Sequence, residues 1–321
     1  MRFRARERGL ALNEYGLFKL NSKGETDWEA KIRSEKESSI YEDLGLHWIP
    51  PELREDRGEL EWFAEHEQMP LVQKEQIRGV IHTHSTWSDG KYSIQEMAAA
   101  CIARDYEYLG ITDHSKTAGY AGGLSIDRVK AQWEEIEKLN AQYAAEGVDF
   151  VIFKGIESDI LGNGDLDYPT DILAGFDFIV ASVHQQLDMP LDAMMDRFKR
   201  AIENPFTTMI GHPTGRLLLK REESSLDMNV LIEYAAQQQT AIEINASPWR
   251  LDLDWIWGNK AKQEGLFTSI NPDAHSIEGI DDIHYGVRIA RKAKFDQARV
   301  LNSLSADDFL SWAKKSRTSK L

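Results

Sequence analysis

From Ile77 onward, short β-rich runs alternate with amphipathic helical stretches, the pattern of a parallel α/β fold. The runs cover residues 77–82, 108–112, 150–156, 178–183, 207–211, 240–245 and 267–271. The main helical stretches cover 94–104, 126–146, 191–203, 228–238 and 277–292. Ser125 and Asp227 stand where N-caps belong, and Gly147 stops the long second helix. An open doubly wound sheet would be expected to carry a glycine-rich phosphate loop. Neither GxGxxG nor GxxxxGKS/T follows any run here. Seven strand–helix units therefore predict a closed or nearly closed barrel.

The end of each run carries the chemistry. The first closes on His82-Thr83-His84 with Asp89 following, the second on Asp113-His114, the third on Glu157 and the fourth on His184. The fifth gives His212, the sixth Asn245, and the seventh Asp273-Ala274-His275. In a barrel the loops at this end converge on one axis. His82 and His84, two apart in an extended segment, face the same side and reach one ion together; Asp273 and His275 repeat that geometry. Any one of these histidines alone is better explained as a hydrogen-bonded core or loop residue. Six of them at corresponding strand ends are not, because burying so many unpartnered groups is costly. His47, His66 and His284 follow no strand and are read as ordinary.

Imidazole mixed with carboxylate and no sulfur suits Zn, Mn or Fe, and fits Ca or Mg poorly. The nine donors are His82, His84, Asp89, His114, Glu157, His184, His212, Asp273 and His275. They exceed the needs of one tetrahedral ion, so two or three divalent transition-metal ions are expected, with a carboxylate bridging two of them. Three dications against three carboxylates leave a charge of about +3, a pit that attracts phosphate. Clustered ions then activate water and stabilise charge on the attacking and leaving oxygens at phosphorus. Arg216, four residues beyond His212, is the stronger candidate for clamping phosphate oxygens, and Arg250, beside Asp252 and Asp254, the weaker. Lys154 is expected to face outward, Cys101 to lie in a helix core, and Trp249, Trp255 and Trp257 to pack rather than to stack on a base.

Charge narrows the partners. With 53 Asp+Glu against 38 Lys+Arg the chain carries −15, which repels phosphate backbones at long range. Tight duplex-DNA binding is therefore not expected. No run of 18 apolar residues exists for a membrane span, and no apolar run follows the basic start Met1-Arg2-Phe3-Arg4. With Cys101 the single cysteine, neither an internal disulfide nor a thiolate zinc cluster is possible, and a cytoplasmic location is expected. Residues 1–76 differ in texture from residues 77–321: a loosely alternating 10–20 segment suits a hairpin, Asn21-Ser22-Lys23-Gly24 signals a turn, and residues 38–45 read as a short helix stopped by Gly45. Pro50-Pro51 and a charge-rich stretch follow, so this part is read as a small N-terminal appendage and linker with too few apolar residues for a strong core.

His82-x-His84 with Asp89, Thr112-Asp113-His114, Gly155-Ile156-Glu157, Ser182-Val183-His184, Gly211-His212-Pro213 and Asp273-Ala274-His275, in this order, resemble the polymerase and histidinol phosphatase (PHP) family of metallophosphoesterases. The segments starting His212-Pro213-Thr214-Gly215-Arg216 and Arg250-Leu251-Asp252 are similar to the PHP domain at the C-terminus of bacterial family X DNA polymerases. Asn13-Glu14-Tyr15-Gly16-Leu17-Phe18 and Ile49-Pro50-Pro51-Glu52-Leu53-Arg54-Glu55 are similar to the end of that polymerase's nucleotidyl-transfer region. The resemblance implies a distorted (β/α)7 TIM-like barrel with a trinuclear Mn/Zn-type site. It implies that His82, His84, Glu157 and Asp273 hold one ion, that Glu157 bridges to a second near His184 and His212, and that Asp89, His114 and His275 serve the third. It also implies 3′–5′ exonuclease or related 3′-end phosphoesterase activity. Only about 76 residues precede the barrel, so the polymerase palm and lyase regions have no counterpart and no polymerase activity is expected.

The expected function is metal-dependent phosphoester hydrolysis by in-line attack of water. His82, His84, Glu157, His184 and Asp273 act through the ions, and Arg216 and Arg250 bind the phosphate. A phosphodiester at a nucleic-acid 3′ end, with single-stranded DNA as partner, is the first choice of substrate. A small phosphomonoester, as in histidinol phosphate phosphatases, is the second, and a non-catalytic metal-binding regulator or scaffold is the alternative of another class. The amidohydrolase barrel also opens with HxH, but it usually bridges its metals with a strand-four lysine, where this chain has His184.

Overall fold

The structure is a computed structural model that describes residues 1–33, 35–65 and 70–320. His66 lies outside the described residues. The chain divides into two compact units, Met1–Pro70 and Leu71–Leu321. The boundary falls before residue 77 because Leu71 and Val72 are buried in the second unit, where Val72 N–H donates to Phe295 O at 3.0 Å and Leu71 bridges Asp296.

The first unit opens with α1 (Arg2–Glu7), followed by an antiparallel sheet of β1 (Leu10–Asn13), β2 (Gly16–Leu20) and β3 (Thr26–Arg33), then α2 (Glu37–Asp43) and α3 (Glu59–Glu65). The hairpin expected over residues 10–20 is present, and the Asn21 turn leads on into a third strand. Asn21 Oδ1 accepts from the N–H groups of Lys23 and Glu25, and Gly24 takes the left-handed φ of +77° that the turn requires. Sequence alone missed β3 because Asp27, Glu29, Lys31 and Arg33 load it with charge. A cluster of Ala5, Leu17 and Leu44 is among this unit's buried apolar packing.

The second unit is α/β with parallel sheets. Its strands are β4 (Gly79–Thr83), β5 (Tyr108–Ile111), β6 (Val151–Lys154), β7 (Glu157–Asp159), β8 (Val180–Ser182), β9 (Met209–Ile210), β10 (Ala241–Asn245) and β11 (Thr268–Asn271). They form a three-stranded sheet, β4-β5-β6, and a five-stranded one, β11-β10-β9-β8-β7. Isolated parallel bridges, Thr83 to Ala274 and His114 to Glu157, link the two sheets beside the site. The run expected as one strand over 150–156 is split between the sheets: β6 pairs with β5, and β7 pairs with β8. Gly155 stands at the break, where a Cβ would lie 2.5 Å from Phe178.

Helices pack on the strands, all but the last of them on the same face. They are α4 (Ile94–Ile102), α5 (Ile126–Glu146), α6 (Thr170–Leu173), α7 (Leu191–Glu203), α8 (Met228–Gln237), α9 (Trp255–Gln263), α10 (Ile283–Lys292) and α11 (Ala306–Ser319). Ser125 Oγ accepts from Arg128 N, Asp227 accepts from Asn229 and Val230 N, and Gly147 ends α5 at φ +71°. On α5, Val129, Gln132, Ile136, Leu139 and Tyr143 form the buried stripe. The stretch expected as a helix over 277–292 is a 3-10 turn, Glu278–Asp282, leading into α10.

Alternation along the strands separates two environments. Leu109, Ile111, Ile152, Ala181, Ile210, Ile242 and Ile244 share a cluster with the helices. Tyr108, Phe153, Phe178, Val180, Met209 and Ala241 point the other way and are joined by Phe309 of α11. Further along that second face, toward the strands' C-terminal ends, come Ser182, Glu243, Asn245 and Asn271, all buried. β4 departs from strict alternation. Val80 pairs with Leu109 and Thr83 with Ile111, so three steps of β4 oppose two of β5. This irregularity lets Ile81 join the apolar cluster while the next residue, His82, turns into the polar site.

Candidate metal centre

All nine expected donors meet in one place. Glu157, at the start of β7 and 1% exposed, is the hub. Its Oε1 lies 2.8 Å from His212 Nε2, 3.2 Å from His184 Nε2 and 3.5 Å from His82 Nε2, and its Oε2 lies 3.0 Å from His114 Nδ1 and 3.7 Å from His84 Nε2. Asp273 Oδ1 is 3.1 Å from His84 Nε2 and 3.5 Å from His82 Nε2. Asp89 Oδ1 lies 3.4 Å from His275 Nε2 and 3.6 Å from His114 Nε2.

Three sets of ligand atoms lie within 4.8 Å of one another: His84, Asp89, His114 and His275; His82, His84 and Asp273; His114, Glu157 and His184. His84 and His114 belong to two sets each, so the sets adjoin. Buried side-chain atoms left without a hydrogen-bond partner include His82 Nε2, His84 Nδ1, His212 Nδ1 and Glu157 Oε2. Orphaned imidazole nitrogens facing carboxylate oxygens are costly in isolation and are what a divalent ion satisfies, so this donor set fits transition-metal ions.

Two carboxylates that strand-end counting passed over stand behind the histidines. Glu243 Oε1 is 2.6 Å from His82 Nδ1, and Asp159 Oδ1 is 2.5 Å from His184 Nδ1. Each fixes its imidazole with Nε2 directed at the hub, as carboxylates behind metal-binding histidines do. Glu243 also accepts from His212 N–H at 2.9 Å and from Asn271 and Asn245, while Thr117 Oγ1 donates to Asp159 at 2.7 Å. The signal for both was two-residue spacing: Glu243 precedes Asn245 by two and Asp159 follows Glu157 by two. With them the carboxylates number five, so three dications would leave a charge of about +1, not +3.

The protonation states follow. Burial would raise Glu157, but His184, His82 and His114 hold it well below the usual carboxylate range. Burial lowers His84 to about 3, reinforced by His275, whose ring stacks on it at 4.0 Å, and by His114. Burial opposes the charge on His184, yet Glu157 and Asp159 raise it to about 10. His275 rises to about 9 against burial, through Asp89 and Asp273.

The loops are held by residues that are not donors. Asp113 accepts from Ser85 N at 2.8 Å, Ser85 Oγ at 2.6 Å and Gln132 Nε2 at 2.7 Å, and Ser88 Oγ also donates to it, which secures the turn carrying Asp89. Asp252 accepts from Thr214 N at 2.9 Å and Thr214 Oγ1 at 2.8 Å, and burial pushes its carboxyl up to about 6. His212 and Asp273 both sit at positive φ, +22° and +53°, conformations that cost a non-glycine residue energy and cluster at functional sites.

The two arginines exchange places relative to expectation. Arg216 donates from Nε to Arg250 O at 2.9 Å and from Nη2 to Leu251 O, and its Nη1 lies 3.6 Å from Asp254. It buttresses the loop and is not free to clamp a phosphate. Arg250 has Nε 3.4 Å from Asp273 Oδ2 and a buried Nη1 with no partner, so it is the arginine at the donor cluster. Lys154 pairs with Glu137 at 3.1 Å, Cys101 is buried in α4, His47 is exposed, and His284 donates to or accepts from nothing in the cluster, its Nδ1 lying 2.7 Å from Asp281 O. Trp255 and Trp257 pack against the core as expected, whereas Trp249 is 56% exposed.

Comparison with known proteins agrees with this geometry. Residues 1–55 match the DNA polymerase beta thumb family and residues 81–247 the PHP domain family. Over 98% of its length the chain is 42% identical to the DNA polymerase/3′-5′ exonuclease PolX of Bacillus subtilis (strain 168), of which it spans 53%. A probable phosphatase of Thermoanaerobacter sp. (strain X514) is 28% identical, with 69% of this chain and 89% of that one covered. In fold the chain is similar to histidinol phosphate phosphatase from Lactococcus lactis subsp. lactis Il1403, solved with Zn, L-histidinol and phosphate, at TM-score 0.51 and 18% identity over 68% of this chain and 94% of that one. The chain belongs to the PHP family.

Proposed function

We propose that this metal-dependent phosphoester hydrolase cleaves phosphodiesters at nucleic-acid 3′ ends. The carrying observation is the convergence of three adjoining donor sets on Glu157, with the unpartnered Nη1 of Arg250 beside Asp273. The 42% identical relative, a DNA polymerase and 3′-5′ exonuclease, supports the diester over the monoester. We read the eight strands as the distorted barrel expected from the sequence.

Two or three Zn, Mn or Fe ions would be held by His82, His84 and Asp273, by Glu157 with His114, His184 and His212, and by Asp89 with His84, His114 and His275. Bound there, the ions supply Lewis acidity and acidify water. Glu157 spans the sets and fixes their spacing. Glu243 and Asp159 hold His82 and His184 with Nε2 toward the hub. Arg250 takes a non-bridging phosphate oxygen. Among the described residues no helix is long and apolar enough to cross a membrane.

The test compares turnover by metal-loaded protein of bis-p-nitrophenyl phosphate, p-nitrophenyl phosphate and a 3′-labelled single strand. The diester and the single strand are expected to be cleaved. Hydrolysis of the monoester alone removes the nuclease reading in favour of a small-molecule phosphatase.

A further inference from the structure

Two exposed aromatic side chains are left over from the packing: Tyr120, beside the donor His114, and Trp249, next in sequence to the arginine that reaches Asp273. Tyr120 is 69% exposed at the tip of a loop that closes on itself through Leu124 N–H donating to His114 O at 2.9 Å. Its ring centre lies 6.2 Å from that of His114. Trp249 immediately precedes Arg250. Its carbonyl accepts from Leu218 N at 2.7 Å, which ties it to the 217–221 hairpin.

That hairpin supplies cations to an otherwise acidic protein. Lys220 Nζ lies 4.3 Å from the centre of the Trp249 ring. Arg221 is exposed and donates Nε and Nη2 to the one carbonyl of Gly215, so that, unlike Arg216 with all three nitrogens engaged, it keeps Nη1 for a phosphate. Leu219 at the tip is fully exposed. Flat apolar surfaces interleaved with cations beside a phosphate-processing centre are the chemistry of a single-strand track. The bases present π-faces to stack, and the backbone presents phosphates to neutralise. A small aliphatic phosphomonoester would use neither.

We propose that Tyr120 and Trp249 stack the bases nearest the scissile ester of a single-stranded oligonucleotide, while Lys220, Arg221 and Arg250 carry its phosphates. This rests on the phosphodiesterase reading above and names the residues that make the substrate a nucleic acid. Stacking tolerates any base, so the track selects single strands without selecting sequence.

The experiment measures anisotropy of a 5′-fluorescein oligo-dT, its 3′ linkages made hydrolysis-resistant as phosphorothioates, binding to the metal-loaded protein. Trp249→Ala and Tyr120→Ala are each expected to weaken binding roughly 5- to 100-fold, and Trp249→Phe to restore most of the loss. An oligomer whose last two residues are abasic is expected to bind the wild-type protein as weakly as the intact one binds the alanine variants. Wild-type affinity in both alanine variants, or equal affinity for abasic and intact oligomers, overturns the track and leaves the phosphodiesterase reading standing. Hydrolysis of p-nitrophenyl phosphate alone, with no cleavage of an unmodified single strand, overturns both.

Discussion

On the inner side of the donor cluster His82, Glu157 and His212 are shut off from solvent, and a further carboxylate, Glu243, lies 2.6 Å from one histidine ring and accepts from the backbone of the other. On the outer side Asp89 and His275 each keep 37% of their side-chain surface exposed. Asp89 there meets imidazoles and the hydroxyl of Ser88 at 3.3 Å, and His275 Nδ1 meets the Asp273 carbonyl at 2.9 Å. The inner groups are held in place before any ion arrives. The outer groups have room to adjust and to exchange with water. An ion on the inner side should therefore bind tightly and leave slowly, and one on the outer side should be the first to go.

The largest effect that would break this contrast is at the hub. Glu157→Gln keeps the shape and removes the charge that five imidazoles face, so metal content should fall by at least one ion and hydrolysis of bis-p-nitrophenyl phosphate should fall to background. Elemental analysis and turnover on the same preparation check it. Unchanged turnover would mean that the cluster binds metal without catalysing. Next is Glu243→Gln, which leaves a hydrogen-bond partner for His82 but removes its charge. Metal affinity on the inner side should drop roughly 10- to 100-fold by competition with a chelator. Asp89→Asn should cost less: one ion should become easy to strip while the others stay. Loss of all ions together in Asp89→Asn would show that inner and outer sets are one cooperative unit.

The same contrast explains what the sequence disclosed. The nine donors were legible because each stands at or shortly after the end of a β-rich run, even where, as at Glu157, the residue itself opens the next strand. Glu243 and Asp159 were not: Glu243 lies inside β10, and Asp159 ends β7, a strand that periodicity merges with β6. The exchange of Arg216 for Arg250 was illegible for a different reason. Which arginine faces the cluster depends on where Arg216 finds carbonyls, here those of Arg250 and Leu251, 34 and 35 residues further along the chain. At Gly155, where the third strand divides, the place of a Cβ is taken by the Phe178 ring at 2.5 Å and the Ile111 carbonyl at 2.6 Å, both from other parts of the chain. Local pattern reads periodicity; it does not read a long-range contact.

The smallest effect concerns protons. In the metal-free protein His184 rises to about 10, despite burial, through Glu157 and Asp159, and His275 to about 9 through Asp89. Both are thus protonated at pH 7, and an ion can use these nitrogens only by expelling protons. Metal affinity should rise from pH 7 to pH 9, and the heat of binding should scale with the ionisation enthalpy of the buffer, which calorimetry in two buffers measures. Stability of the metal-free protein should move the opposite way. A histidine whose folded pKa is raised contributes stability that is complete below about 6.5 and fades as the pH climbs through the folded value. The melting temperature without metal should therefore decline between pH 6.5 and about 10, and His275→Asn should remove the part lost near 9. With ions bound the protons are already gone and the decline should vanish. A metal-free melting temperature that rises over this range would mean that the imidazolium–carboxylate pairs do not form, and the inner side would then owe its order to metal alone.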